Sequence, residues 1–345
     1  MNDQMNILVK PISSPIYRNN KFFEIDTLDN VFFGFKRKLK KLDITINTLD
    51  VGSKEDVDCI VFCDIPYFWQ IGYIYTLLKN RKKNILFCFE PPVINPFNHW
   101  RIFFIFFRGV YTWNDLLVDN KKIHKFYLPV RDFNPGSYNV PFKKKKLLCL
   151  VNSNKSAPYL FVVLSQFKKL LYQERLRAIH FFENEIPLAF DLYGRGWNQP
   201  KKFNLREKMF GFKKYASYQG AIPGFPGAKL KVISNYKFNL CFENCIVEGY
   251  ISEKIIDCFK SQTVPIYFGA PNIEKYIPKN CFIDFRDFKD YQSLLDYLIN
   301  MDEKTYNTYI RNAKRLVNTK KFKDMWFEEG FLKVFLESIS YEKSH

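Results

Sequence analysis

Short apolar runs alternate along the whole chain with longer segments whose apolar residues return at the helical period, and that alternation restricts the chain to a parallel α/β fold. Strands are expected at Ile7–Lys10, Cys59–Asp64, Ile85–Glu90, Leu147–Asn152, Phe190–Gly194, Phe238–Glu243, Val264–Phe268 and Cys281–Asp284. Helices are expected at Leu28–Lys41, Tyr159–Glu183, Glu253–Lys260, Tyr291–Asn300, Lys304–Val317 and Asp324–Ser338. A length of 345 residues exceeds what one core usually organises. Asn134-Pro135-Gly136 and Pro141 break regular structure near the middle, just before a run of lysines. The expected division is therefore residues 1–145, residues 146–320, and a C-terminal helix within 321–345 that packs back on the first domain. The architecture this implies is α/β, with two Rossmann-like domains facing across a cleft. Ligands in such sheets gather beyond the carboxyl ends of the strands. Glu90, Asn152-Ser153-Asn154, Gly194-Arg195-Gly196, Glu243-Asn244 and Gly269 all fall at such ends.

Charge narrows the partners without choosing one. The net charge of +18 suits an anionic partner: nucleic acid, a membrane surface or a phosphorylated small molecule. Residues 1–145 carry +8 and residues 146–345 carry +10, so no single basic domain stands out. The eight cysteines lie mostly inside apolar runs and form no paired C-x-x-C, and with four histidines a zinc site has little to build on. Buried reduced thiols and a cytoplasmic location are expected. Met1–Val9 lacks the features of a secretory signal. The most lipid-like run, Ile102–Phe107, is far shorter than the ~20 residues a spanning helix needs. Two readings stay open around it: a buried face, or peripheral membrane contact through Trp100, Phe103, Phe104, Phe106 and Phe107.

Residues 236–269 read YKFNLCFENCIVEGYISEKIIDCFKSQTVPIYFG. A buried strand here delivers Glu243 and Asn244 to its carboxyl edge, and Ser252 stands where it can cap a helix beginning at Glu253. The first turn of that helix offers N–H groups and positive dipole suited to a diphosphate, with Lys254 adding charge. This stretch resembles the α1,3-fucosyltransferase family motif F-E-N…Y-[IV]-[ST]-E-K followed by [VI]-P-[IV]-x-x-G, without a gap. The resemblance implies a GT-B fold and GDP-fucose as donor. It assigns Asn244, Tyr250, Glu253 and Lys254 to the nucleotide sugar, with Glu243 and Ser252 in the same element.

Upstream, Leu147–Asn154 and Phe190–Gly196 are similar to the opening of the family's donor domain, which adds Asn154 and Gly194 to the donor set. The family places an arginine on the first long helix to hold the diphosphate. Spacing to Ile179 and Phe182 favours Arg175, and Arg177 competes. Gly194-Arg195-Gly196 lacks the third glycine of a dinucleotide fingerprint, Gln199 standing in its place, and reads as a strand-ending turn. In the N-terminal half, Phe87-Cys88-Phe89-Glu90-Pro91-Pro92 looks like the family's F-E-[SP]-P element, which makes Glu90 the general base. Asp56-Val57-Asp58 matches a metal-binding D-x-D but precedes its strand instead of following it, and reads as a turn.

The resemblance therefore implies an inverting transferase that moves L-fucose from GDP-fucose to O3 of a GlcNAc or Glc unit. The acceptor class spans oligosaccharide, lipid-linked and surface-polysaccharide glycans, and the family also admits attack at O4. No metal is required; a divalent ion is at most stimulatory. Trp69, Trp100 and Trp113 are open to sugar stacking or to core packing. The rival readings are a transferase of the same architecture using another nucleotide sugar and a basic nucleic-acid-binding protein; the even charge split and the lack of a recognition motif count against nucleic acid as a partner.

Overall fold

Strands buried on both faces need apolar side chains at every position, and CIVFC and NILFC, with all ten residues buried, form the centre of the first of two parallel sheets. The computed structural model describes residues 5–12, 15–27, 30–52, 56–132, 138, 140–155, 159–165, 169–200, 209, 211–225 and 227–340. The expected break at Asn134-Pro135-Gly136 lies outside them. The first sheet comprises β1 (Met5–Lys10), β2 (Ile44–Thr48), β3 (Cys59–Cys63), β4 (Asn84–Cys88), β5 (Gly109–Thr112) and β6 (Ile123–Lys125), in the order β2-β1-β3-β4-β5-β6. The second comprises β7 (Lys146–Val151), β8 (Phe190–Tyr193), β9 (Tyr218–Gly220), β10 (Tyr236–Phe242), β11 (Val264–Phe268) and β12 (Ile283–Asp284), in the order β12-β11-β10-β7-β8-β9. Every strand pairing is parallel.

The chain forms two units. One contains Met1–Asp132, Tyr159–Gln166 and Lys323–His345; the other contains Phe133–Pro158 and Phe167–Phe322. In the first unit, Ile60, Phe62, Leu86, Cys88 and Val110 share a core with Leu77, Phe104 and Phe107. On its other side the Phe87 ring meets Phe331 and Phe335 of the C-terminal helix Glu328–Ser340, and both of those also meet Phe35. In the second unit, alternate residues of β7, β8 and β10 pack against Ile179 and Phe182 of the helix Tyr172–Glu185 and against Leu294 and Leu298.

Several elements differ from expectation, each for a local reason. β4 ends at Cys88, so Phe89 and Glu90 lie in the chain that follows it. The expected helix Tyr159–Glu183 is two, Tyr159–Leu164 and Tyr172–Glu185, and Asp324–Ser338 is replaced by Lys320–Trp326 and Glu328–Ser340. Among the described residues of Leu28–Lys41, Phe35–Lys40 alone is α-helical. β2, β6 and β9 are short or polar strands at or next to sheet edges, without an apolar run to announce them. The helix Ile71–Lys79 also carries no clear signal, because apolar residues occupy its outward face as well as its inward one.

The run Ile102–Phe107 is mostly a 3-10 helix, Arg101–Phe106, in which Phe104 is buried; Phe107, just after it, is buried as well. Those two rings belong to the core, as the buried-face reading of this run has it. Trp113 is also core, its indole N–H bonded to the Phe89 carbonyl. No helix among the described residues is long and apolar enough to cross a membrane.

Candidate functional site

In the second sheet the chain runs outward from β7 to β9, then returns to place β10 on the opposite side of β7. Strand order reverses there, so a crevice is expected beyond the carboxyl ends of β7 and β10. Arg175 occupies it. The segment before its helix is fastened to the loop after β10, with Leu171 N donating to Asn244 O and Ile246 N to Lys169 O. That places the first helical turn at the switch point. Arg175, Ala178, Ile179 and Phe182 form the helix's buried stripe, and the Arg175 guanidinium bridges the two strand ends. It donates to Phe242 O at 2.7 and 3.1 Å, to Asn244 Oδ1 at 2.9 Å and to Asn152 Oδ1 at 3.3 Å. Asn244 in turn donates to the Tyr250 hydroxyl at 3.2 Å. Four of the five guanidinium N–H groups thus have protein acceptors. A two-pronged grip on phosphate, the chemistry expected of this arginine, would require Arg175 to release one of the asparagines. Arg177 is 71% exposed at its side chain and pairs with Glu174, so the structure does not bring it to this group.

Next to it, Glu243, directly after β10, is fully buried. Its carboxylate accepts from Ser252 N at 2.8 Å, from Ser252 Oγ at 2.7 and 2.9 Å, and from Lys254 Nζ at 2.9 Å. Glu243 therefore ties the strand end to the start of the helix Glu253–Lys260. Ser252 stands at the N-cap position but makes no capping bond, because its hydroxyl is directed to Glu243 and the Lys254 ammonium. Burial opposes the charge on Lys254, yet Glu243 and Glu253 outweigh it and raise its pKa. Burial would likewise raise the Glu253 carboxyl, but Lys254 and Lys229 hold it at about 2. Lys229 bonds Asp257 at 2.6 Å. Lys254 and Lys229 each face carboxylates, whereas the hydrogen-bond acceptors of Arg175 are all uncharged.

Two glycines beside this group are demanded by close approach. A Cβ on Gly194 would meet Asn152 O at 2.0 Å, and its φ of +133° is itself unfavourable for other residues. The neighbouring turn is closed by Asn154, which bonds Arg195 O and Gly196 O, and by Trp197 Nε1, which donates to Asn152 O at 2.6 Å. A Cβ on Gly269 would lie 2.5 Å from Glu243 Cγ and 2.5 Å from the Tyr267 hydroxyl, both on fully buried side chains. Gly269→Ala is expected to cost about 1–3 kcal/mol, measured as a lowered midpoint in denaturant unfolding. An unchanged midpoint would mean that Glu243 can move freely.

In the first unit strand order reverses between β1 and β3, and the ends of those strands are joined by a buried lysine. Lys10 Nζ donates to Cys63 O at 3.0 Å and to Asp64 O at 3.2 Å. The buried Asp64 Oδ1 accepts from Phe89 N at 2.7 Å, Glu90 N at 3.0 Å and Asn98 Nδ2 at 2.6 Å. Burial pushes the Asp64 carboxyl up and the Lys10 ammonium down, and each charge offsets the other's desolvation. The Glu90 carbonyl faces His99 Nε2 at 3.1 Å. Burial pushes His99 down to about 4, so the ring is neutral at pH 7. The bonding pattern then assigns the proton to Nε2, with Nδ1 accepting from Asn114. The Glu90 backbone is thus held on both sides while its side chain is half-buried.

Of the candidate residues, Arg175, Asn244 and Tyr250 form one chain of contacts, and Glu243, Ser252, Glu253 and Lys254 form its neighbour. Asn154 and Gly194 shape the adjoining turn. Sequence reading missed Lys10, Asp64, His99 and Lys229, and placed Asn152 at a strand end without giving it a role. A lysine inside an apolar strand, and an aspartate ending the run after it, were the available signals for the first two. Asp58 of the D-x-D accepts from Asn6 N at 2.7 Å at the amino end of β3, away from the ligand edge. Among the described residues no group of three His, Cys, Asp or Glu side chains is placed to hold a metal ion.

Residues 143–333, more than half of the chain, match the profile of glycosyltransferase family 10 (fucosyltransferase), C-terminal part. An α-(1,3)-fucosyltransferase of Helicobacter pylori is 46% identical over 70 residues, covering 20% of this chain and 15% of its own. The mouse 4-galactosyl-N-acetylglucosaminide 3-α-L-fucosyltransferase 9 is 29% identical over 194 residues, covering 55% of this chain and 43% of its own. The matches thus span less than half the length of these relatives. A solved α1,3-fucosyltransferase structure with GDP-fucose superposes with a TM-score of 0.54 at 17% identity, covering 97% of this chain and 90% of the other, which shows the shared GT-B fold.

Proposed function

We propose that this chain, which belongs to glycosyltransferase family 10 (fucosyltransferase), moves L-fucose from GDP-fucose to a hydroxyl of a glycan acceptor with inversion at the anomeric carbon. The observation that carries this reading is the continuous group Arg175–Asn244–Tyr250 at the switch point of the second sheet, beside a helix start that the Ser252 side chain does not cap. Backbone N–H groups, helix dipole and a guanidinium hydrogen-bonded to uncharged acceptors together suit a diphosphate.

The reaction is a single displacement. The Glu90 carboxylate takes the proton of the acceptor hydroxyl, whose oxygen forms a bond to the fucose anomeric carbon. The bond from that carbon to the β-phosphate oxygen breaks, and GDP leaves with the electron pair. Negative charge grows on the departing phosphate, so fixed positive groups stabilise the transition state more than the ground state. Arg175, Lys254 and the start of the helix Glu253–Lys260 supply them, and no step requires a divalent ion. Asp64, Asn98 and His99 hold the Glu90 peptide in one orientation, which favours a base acting at a defined position. The resemblance of residues 236–269 favours O3 of GlcNAc or Glc as the attacked position.

Incubation with labelled GDP-fucose, and in parallel with UDP- and other GDP-sugars, against an array of GlcNAc- and Glc-containing acceptors tests the reading. A fucosylated product with β-L to α-L inversion and a 3-linkage is expected. Turnover with another donor in preference to GDP-fucose would replace it with the rival transferase reading.

A further inference from the structure

We infer that the first unit carries a docking surface for an anionic lipid bilayer, formed by the outward faces of the helix Ile71–Lys79 and the 3-10 helix Arg101–Phe106. Thr76 and Leu77 of the first helix are buried, whereas Ile71, Tyr75 and Leu78 are 75%, 63% and 46% exposed. Their spacing puts them on one face. Ile102 and Ile105 form a second outward ridge, 68% and 60% exposed. The two helices cover the same core and meet at their ends: Asn84 Nδ2 donates to Leu77 O at 2.8 Å and to Phe106 O at 3.1 Å, and the Arg81 guanidinium covers the Phe106 ring at 4.9 Å. Scattered apolar side chains on a surface are ordinary, but two adjacent ridges that expose five large ones are not.

Charge decides what covers them. From Ile65 to Asn114 the chain holds six Lys and Arg and one carboxylate, Glu90, and beyond it Asp119 lies 3.9 Å from Arg101, leaving the surface cationic on balance. Lys79, Arg81, Lys82 and Arg101, all exposed, flank the ridges. Apolar ridges rimmed by cations match a bilayer interface, where the aliphatic side chains enter the acyl boundary and the cations meet acidic headgroups. A second copy of the chain would instead bring like charges together across a two-fold contact. One of the two sequence readings placed membrane contact on the aromatic residues of this run; the structure turns Phe104 and Phe107 inward and leaves the isoleucines to face out. The inference does not depend on the donor or acceptor chemistry.

Co-sedimentation of the full chain with vesicles of phosphatidylcholine, with and without phosphatidylglycerol, tests it. Binding to the anionic vesicles is expected, falling as salt rises. The Ile102→Asp/Ile105→Asp and Lys79→Gln/Lys82→Gln double variants are each expected to weaken that binding about tenfold or more. A Lys143→Gln/Lys144→Gln control, of equal charge change elsewhere, should bind as the parent does. Circular dichroism and transfer to a soluble acceptor, unchanged in all three variants, would show that the fold is intact. Absence of preference for anionic vesicles, equal loss in the control, or undiminished binding by both surface variants would overturn the inference. So would a concentration-dependent dimer that the isoleucine variant abolishes, because the surface would then serve self-association.

Discussion

Glu90→Gln is expected to lower fucosyl transfer by about 10²–10⁴-fold, the usual contribution of a positioned general base, while GDP-fucose binding stays within a factor of about two. Glutamine keeps the shape of the side chain and cannot accept the proton. The backbone contacts that hold this position, to Asp64, Asn98 and His99, do not involve the side chain that changes. The fold should therefore survive, and a loss confined to turnover would isolate the proton transfer. Turnover by labelled-donor assay and binding by calorimetry, on the same preparation, make the comparison. Retained turnover would remove Glu90 from the chemistry, and parallel loss of binding would assign it to the donor instead.

Arg175→Ala is expected to weaken GDP binding and transfer by about 10²–10³-fold, and also to lower stability by about 1.5–3 kcal/mol. Both effects follow from its position. The hydrogen-bond acceptors of the guanidinium are uncharged, and it satisfies the buried Phe242 carbonyl while orienting Asn152 and Asn244. Arg175→Lys keeps the charge but cannot reach all of these acceptors at once, so it should recover part of the stability and little of the binding. Arg177→Ala, two residues on, should change stability by no more than about 0.5 kcal/mol and leave GDP binding as it was, since Arg177 is solvent-exposed and bonded to Glu174. Equal effects of the two alanine variants on GDP binding would sink the assignment.

The stripe Arg175, Ala178, Ile179, Phe182 was readable because a helix buries residues three and four apart, whatever it packs against. Glu243 shows the opposite case. Its place at the carboxyl end of a buried strand was legible, but not that its carboxylate would be used up by Ser252 and Lys254, and the expected N-cap role of Ser252 failed for the same reason. A hydroxyl can serve a helix N-terminus or a neighbouring carboxylate, and the choice depends on what the next strand brings. The helix Ile71–Lys79 escaped notice because its outward face lacks the polar residues that reveal an amphipathic period.

From the residues alone came the parallel α/β class, the main strands and the placement of polar residues at their carboxyl ends. These are local consequences of burial, since a strand covered on both faces must be apolar throughout and must end in groups that can leave the sheet. The tertiary structure alone decided which of those ends meet. Lys10 reaches Asp64 across 54 residues, and Arg175 reaches Asn152 and Asn244 across 23 and 69. Such meetings follow from strand order and from where it reverses, which no periodicity along the chain encodes.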